Sequence, residues 1–193
     1  MSTQPMIRGY SLRKTAEYIR TDRFDSSTRA RILTSLPEHL RGDLTNIDVV
    51  GWYPREDSIA LFQAIASVSS DEAEARQTLR MLGEFIAEES TNTFLKLVMR
   101  LLNPVRFAAK LPSLWDRDMR GGNFTYDVSG ASEKRMEIYL NDVAGYDHIG
   151  AVTEGWIHFA MRSLGEHNAR VELRGWSLET PGPERVEYLV SWA

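Results

Sequence analysis

The groups able to do polar chemistry in this chain are four histidines, His39, His148, His158 and His167, and the carboxylates of the turn at Asp142 and Asp147. A zinc hydrolase would place two histidines one helical turn apart as H-E-x-x-H, and no such string occurs. Asp142, Asp147 and His148 are close enough in sequence to offer a mixed oxygen and nitrogen ligand set. The same residue types cap and solvate a turn ahead of a helix, which is the preferred reading, so no metal is expected. Acyl or glycosyl transfer needs a nucleophile and a base oriented by a third group. There is no cysteine and no G-x-S-x-G. Gly121-Gly122 belongs to no G-x-x-x-x-G-K-[ST] phosphate loop. The expectation is a protein that is not an enzyme and carries no cofactor.

Apolar binding is left. Trp115, Phe124, Tyr126, Tyr146, Trp156, Phe159 and Tyr188 are the candidate residues of a pocket or an interface. As core they would fill the β-rich half. As a pocket wall they would suit a flat or acyl ligand.

The elements that must position them follow from periodicity. Residues 1–8 are expected as a loose tail or an opening edge strand. Ser11 can cap a helix over 11–21, with Leu12, Ala16 and Ile19 at helical spacing. Ser26 or Ser27 caps a second helix, with Ile32, Leu33 and Leu36 inward, stopped near Pro37. Arg20, Arg23, Arg29 and Arg31 of this pair suit a solvated face better than a DNA-reading helix in an acidic chain. Residues 39–51 look irregular. Pro54, Glu56 and Asp57 suit the first turn of a helix carrying Ile59, Phe62 and Ala66. Asp71 opens another, with Ala75, Leu79, Leu82 and Phe85/Ile86 on one face. The stretch 92–102 is apolar round much of a helix, so it is either central in the monomer or packed across a two-fold axis. Short helical pieces follow over 105–110 and 111–120.

From 121 the period changes to two. Phe124, Tyr126 and Val128 alternate with polar residues, and so do Met136, Ile138 and Leu140, predicting a hairpin. A helix over 149–164 carries Ile149, Val152, Trp156, Phe159/Ala160 and Leu164 on one face, and Gly165 suits its end. Ala169, Val171 and Leu173, then Val186, Tyr188, Val190 and Trp192, form two more strands around the turn Thr180-Pro-Gly-Pro. The order strand, strand, helix, strand, strand predicts an α+β fold: a mainly helical half, 1–120, packed on an antiparallel sheet of about four strands with one amphipathic helix, 121–193, in one domain over 1–193.

Composition agrees. A chain of 193 residues with 42% hydrophobic and 26% charged residues can bury one substantial core. A net charge of −4 argues against nucleic acid as a partner. The N-terminus lacks the apolar run of a signal peptide, and no stretch reaches the roughly 18–20 apolar residues of a membrane span. The absence of cysteine fits a reducing cytoplasm, the expected location.

With these elements in place, the chain resembles a paralogous family of unknown function found mostly in myxobacteria. The residues that carry the resemblance are Trp52-Tyr-Pro, Leu82-Gly83, Thr93, Asn103-Pro-Val-Arg-Phe, Leu114-Trp115, Gly145-Tyr146, Leu164-Gly165 and Tyr188-Leu-Val-Ser-Trp. That family is similar in fold to a superfamily of heme nitric-oxide-binding domains, 4-vinyl-reductase ligand-binding domains and TRAPP vesicle-tethering subunits. The resemblance implies a hydrophobic pocket between a helical and a β-rich half, and binding of heme, aromatic effectors or acyl chains, or service as an assembly subunit. The heme-binding branch carries Tyr-x-Ser-x-Arg. Here the nearest string is Tyr126-Asp-Val-Ser-Gly, which fails the spacing and lacks the arginine. His148 and His158 are the candidate axial ligands, and His158 stands off the apolar stripe, so heme is not expected. The expected function is a regulatory or sensory module that encloses a small apolar ligand between its halves and signals to a protein partner. The alternative is a ligand-free adaptor. The stretch 94–102 leaves a homodimer open.

Overall fold

In the computed structural model, residues 4–42, 44, 46–91, 99, 101–175, 177 and 182–193 are described. The expected apolar helix over 92–102 falls largely outside them, as do Trp176 and the start of the turn Thr180-Pro-Gly-Pro.

The period-two pattern after residue 121 folds as expected. Strands β4 (Asn123–Asp127), β5 (Arg135–Asn141), β6 (Arg170–Arg174) and β7 (Arg185–Ser191) form an antiparallel sheet in the order β4-β5-β7-β6. Cross-strand pairs put like with like: Met136 faces Val190, Ile138 faces Tyr188 and Leu140 faces Val186. All six are buried, so one face of the sheet is a continuous apolar wall.

The helical half is built from α1 (Gly9–Ile19), α2 (Ser26–Ser35), α3 (Glu38–Arg41), α4 (Arg55–Ala66), α5 (Glu72–Ser90), α6 (Pro104–Ala108) and α7 (Leu111–Asp118). Helix α8 (Ile149–Ser163) leaves the sheet and returns to it. The Tyr188 hydroxyl donates to the Gly150 carbonyl at 3.1 Å, fixing the start of α8 against the sheet. Helix α5 covers α8 from the other side, so α8 is buried around most of its circumference.

Two glycines set the depth of that crossing. A Cβ on Gly83 of α5 would lie 1.8 Å from the Val152 carbonyl oxygen, and one on Gly155 of α8 would lie 1.8 Å from the Arg80 carbonyl oxygen. The two backbones therefore touch, each helix offering its glycine to the other's main chain. Charge fixes the register on either side of the contact. The buried Glu154 carboxylate accepts two hydrogen bonds from Arg76, both at 3.0 Å. Glu84 accepts from Arg162 at 3.0 Å and bonds His158 Nδ1 at 3.0 Å.

Several local expectations change. The first strand, β1 (Met6–Arg8), is neither a tail nor an edge: it is the centre of a second antiparallel sheet, between β2 (Trp52–Pro54) and β3 (Met119–Arg120). Helix α1 starts at Gly9, ahead of Ser11, because the chain turns straight out of β1, and its cap position is Arg8. Asp25, not Ser26 or Ser27, caps α2, accepting from the Thr28 amide at 2.7 Å. Pro54 ends a strand instead of sitting inside a helical turn, and residues 38–41 are helical where irregular chain was expected. Asp71 caps α5 as expected, and Gly165 follows α8 with φ +98°, a conformation glycine adopts without strain. One connected set of buried apolar side chains runs from Ile7 to Val190 through both halves.

Because the helices meet through main chain, a methyl group has nowhere to go at the crossing. Gly155→Ala is expected to lose about 1–3 kcal/mol in urea denaturation, the cost of overpacking. Gly42→Ala, with open space around its Cβ, should be neutral or more stable by about 0.4–1 kcal/mol.

Candidate functional site

A cavity of about 100 Å³ lies where the two halves meet. Ile7 of β1, Met119 of β3 and Tyr10 of α1 form one side. Gly83 and Ile86 of α5 and Leu114 and Trp115 of α7 form another, and Phe124 with Ile149, Val152 and Trp156 closes it from the β-rich half. A second cavity of about 280 Å³ lies beyond Trp156, walled by Leu102, Phe107, Phe159 and Ala160 among others. Trp156, Ser90 and Leu114 line both.

The structure brings five of the seven predicted residues to these cavities. Trp115 is buried; its indole N–H donates to the Gly121 carbonyl at 3.1 Å, and its ring meets Phe124 edge-on, centroids 5.2 Å apart. Tyr146 is fully buried, stacked on Phe62 at 6.2 Å, with its hydroxyl 2.8 Å from Ser58 Oγ. Burial pushes the Tyr146 hydroxyl pKa far above the ordinary tyrosine value, so the group stays neutral. Phe159 lines the second cavity, and Trp156 stacks on Phe107 at 5.9 Å between the two. Trp156 is therefore not the enclosed centre of a packed stripe: it is half-buried, with empty space on two sides.

Two residues are elsewhere. Tyr126 is 38% exposed and lines neither cavity. It shares the inward register of Phe124, but β4 is an edge strand, and beyond the Trp115 contact Tyr126 has a strand neighbour on one side only. Tyr188 is core, joined to α8 through Gly150, and touches no cavity.

Sequence reasoning missed Tyr10, Ile7 and Met119, which lie on or beside strands too short to show a period. Tyr10 differs from its neighbours on the wall. Ser90 donates to the Ala87 carbonyl, Asp118 pairs with Arg117 and Tyr146 bonds Ser58. The buried Tyr10 hydroxyl has no hydrogen-bond partner among the described residues, and burial raises its pKa. A buried donor left unsatisfied is costly unless something else occupies it.

The histidines and the Asp142 turn form no such site. Asp142 accepts from Asn123, and Asp147 accepts from Gln63 and from the Gly182 amide, so the two carboxylates serve different contacts. His39 bonds Asp57 at 2.8 Å, His148 precedes α8 with φ +68°, His158 bonds Glu84 and His167 is exposed. No group of three or more potential metal-ligating side chains occurs among the described residues.

The chain is similar in fold to H-NOX proteins. The unliganded Fe(II) H-NOX protein from K. algicida matches with a TM-score of 0.71 at 11% identity, covering 97% of each chain. An H-NOX protein from S. oneidensis in the Fe(II)NO state matches with a TM-score of 0.56 at 11% identity, covering 97% of this chain and 99% of that one. The IWP-051-bound H-NOX from Shewanella woodyi in the Fe(II)CO state matches with a TM-score of 0.52 at 17% identity, covering 96% and 94%. No protein-family model and no curated protein matches the chain, so the comparisons lend no support to the myxobacterial resemblance. At these identities the likeness is one of fold.

Among the described residues no helix is long and apolar enough to cross a membrane.

The helix crossing carries a titratable group. Burial and the neighbouring Arg80 charge lower the His158 pKa, with Glu84 acting in the opposite direction. The fold thus favours neutral His158. Its contribution to stability is full above the unfolded value of about 6.5 and is lost as pH falls through the lower folded value. The His158 ring should titrate by NMR with a midpoint below 6.5, and His158→Gln should flatten the acid-side decline in urea stability. A midpoint at or above 6.5 would contradict this assignment.

Proposed function

We propose that the protein is a non-enzymatic sensory module of the cytoplasm. It takes a small apolar molecule into the cavity between its halves and passes the signal to a protein partner. The supporting observation is the cavity itself: apolar, walled by both halves, and bordered by a tyrosine whose buried hydroxyl lacks a partner among the described residues.

Size defines the ligand class. Pockets for drug-sized ligands run to about 300–1,000 Å³. A cavity of about 100 Å³ is nearer the engineered apolar cavity of about 150 Å³ that accepts benzene or xenon. The H-NOX structures are described by their iron ligation states, so heme is the group their fold suggests. The residues here do not fit it. None of the four histidines lines either cavity and there is no cysteine; Tyr146 is engaged by Ser58, and the first cavity, about 100 Å³, is too small to seat a porphyrin against Tyr10 or Met119. A ligand-free adaptor would present a broad apolar face. Among the described residues the exposed large apolar side chains are Val49, Val50, Leu101 and Tyr126.

Thermal unfolding with benzene or phenol tests the proposal. Both should raise the midpoint, because each binds the folded state alone. Tyr10→Phe should keep the benzene effect, weaken that of phenol, and leave the free protein as stable or more so, since it removes an unsatisfied hydroxyl. Added hemin should show no sharp Soret band. No shift with either arene would overturn the ligand reading, and a stoichiometric Soret band would overturn the exclusion of heme.

A further inference from the structure

Strand alternation gives the three-stranded sheet two faces. Ile7 and Met119 point inward and line the cavity. Arg8 pairs in register with Trp52, and Arg120 with Met6, so Arg8, Trp52 and Arg120 share the opposite face. There the guanidiniums of Arg8 and Arg120 both lie over the Trp52 indole, 4.2 and 4.3 Å from a ring centroid. Two like charges are thus gathered on one aromatic ring.

Among the described residues neither forms an ion pair, and the carboxylate of the adjoining loop, Asp48, is engaged by the Val50 amide at 3.1 Å. Arg8 donates to the Arg117 carbonyl at 3.2 Å and the Val50 carbonyl at 2.5 Å, which fixes its side chain without compensating its charge. Neither arginine has an ion-pair partner among the described residues, whereas Arg76 and Arg162 of the helix crossing pair with Glu154 and Glu84. In a chain of net charge −4, an uncompensated pair held on an indole is a local positive site. Val50, 68% exposed, and Val49, 37% exposed, adjoin it through the Arg8 contact, so apolar surface lies beside the charge.

We propose that this outer face docks an acidic segment of a partner protein. Carboxylates of the segment pair with Arg8 and Arg120, and an apolar side chain of the segment packs on Val50 and Trp52. Guanidiniums in fixed positions match carboxylates through paired hydrogen bonds, and exposed valines beside them favour a peptide over a bare anion. Docking does not depend on the ligand reading. The coupling does: the same strands carry the cavity wall and the docking face, so a ligand against Ile7 and Met119 would bear on the partner.

The test uses the full chain and a fluorescein-labelled hexapeptide of four glutamates and two leucines, followed by anisotropy. Binding should saturate, disappear near 0.5 M salt as exposed charges are screened, and weaken about three- to fivefold in Arg120→Gln and in Arg8→Gln. Arg31→Gln, on the exposed face of α2, should leave it unchanged. Circular dichroism and the arene-induced rise in unfolding temperature, retained in Arg120→Gln, would show that the variant is folded and keep this result separate from the ligand test. The proposal fails if the peptide does not bind, if a glutamine-for-glutamate control binds as well, or if both arginine variants bind as tightly as the parent. It also fails if sedimentation shows a dimer that Arg120→Gln dissolves, because the face would then belong to a second copy of this chain.

Discussion

The close crossing of α5 and α8, where Gly83 and Gly155 each meet the other helix's main chain, is the constraint on which the rest of the structure depends. It lets α5 and α8 approach until side chains are excluded between them, and the main chain of each lies where a Cβ would otherwise stand. Glycine inside a helix costs about 1 kcal/mol relative to alanine, so two such residues at one crossing are explained by the closeness they permit. The close approach pins α8 to the helical half while Tyr188 pins it to the sheet. Gly83 also lines the first cavity, and the residues it meets on α8, Val152 and Trp156, lie on the same wall. The tight crossing and the cavity beside it are therefore two consequences of one geometry.

Charge adds what apolar contact cannot. Apolar packing between helices tolerates sliding, whereas the two bonds from Arg76 to Glu154 hold one axial position. Glu154 is almost fully buried, and removing Arg76 alone would strand its charge. Glu84 does the same work on the other side with His158 and Arg162. Two glycines thus set the distance between the helices, and two carboxylates set their register.

Much of this was legible in the residues, and the limits are physical. The strands after residue 121 were plain because each is half-buried and long enough for alternation to repeat. Asp71 and Gly165 marked helix ends because capping is local chemistry. Tyr126 lies outside both cavities because alternation reports which face a residue shares, not whether anything covers that face at the sheet's edge. Strands β2 and β3 were missed because two or three residues carry no period, and the pairing that makes β1 a centre and not an edge joins positions as far apart as Ile7 and Met119. That omission hid half of the cavity wall, Tyr10 included. The crossing left a trace that went unused: Gly155 sits in the middle of a strongly helical pattern, where a glycine signals close backbone approach.

The likeness to H-NOX proteins sharpens what fold does and does not specify. In this chain a cavity lies where the helical half meets the sheet. What enters is decided by the side chains that reach the junction. In this chain they are Trp115, Phe124, Tyr146 and Trp156, with a Tyr10 hydroxyl that has no partner among the described residues, and every histidine lies elsewhere. Trp156, with Ser90 and Leu114, lines both cavities, about 100 and 280 Å³, so an aromatic ring stands on the wall that the two share. An aromatic partition of that kind selects by size before any polar contact is made. Under the proposed ligand reading, this wall is the part of the fold that would favour a compact apolar guest over a porphyrin.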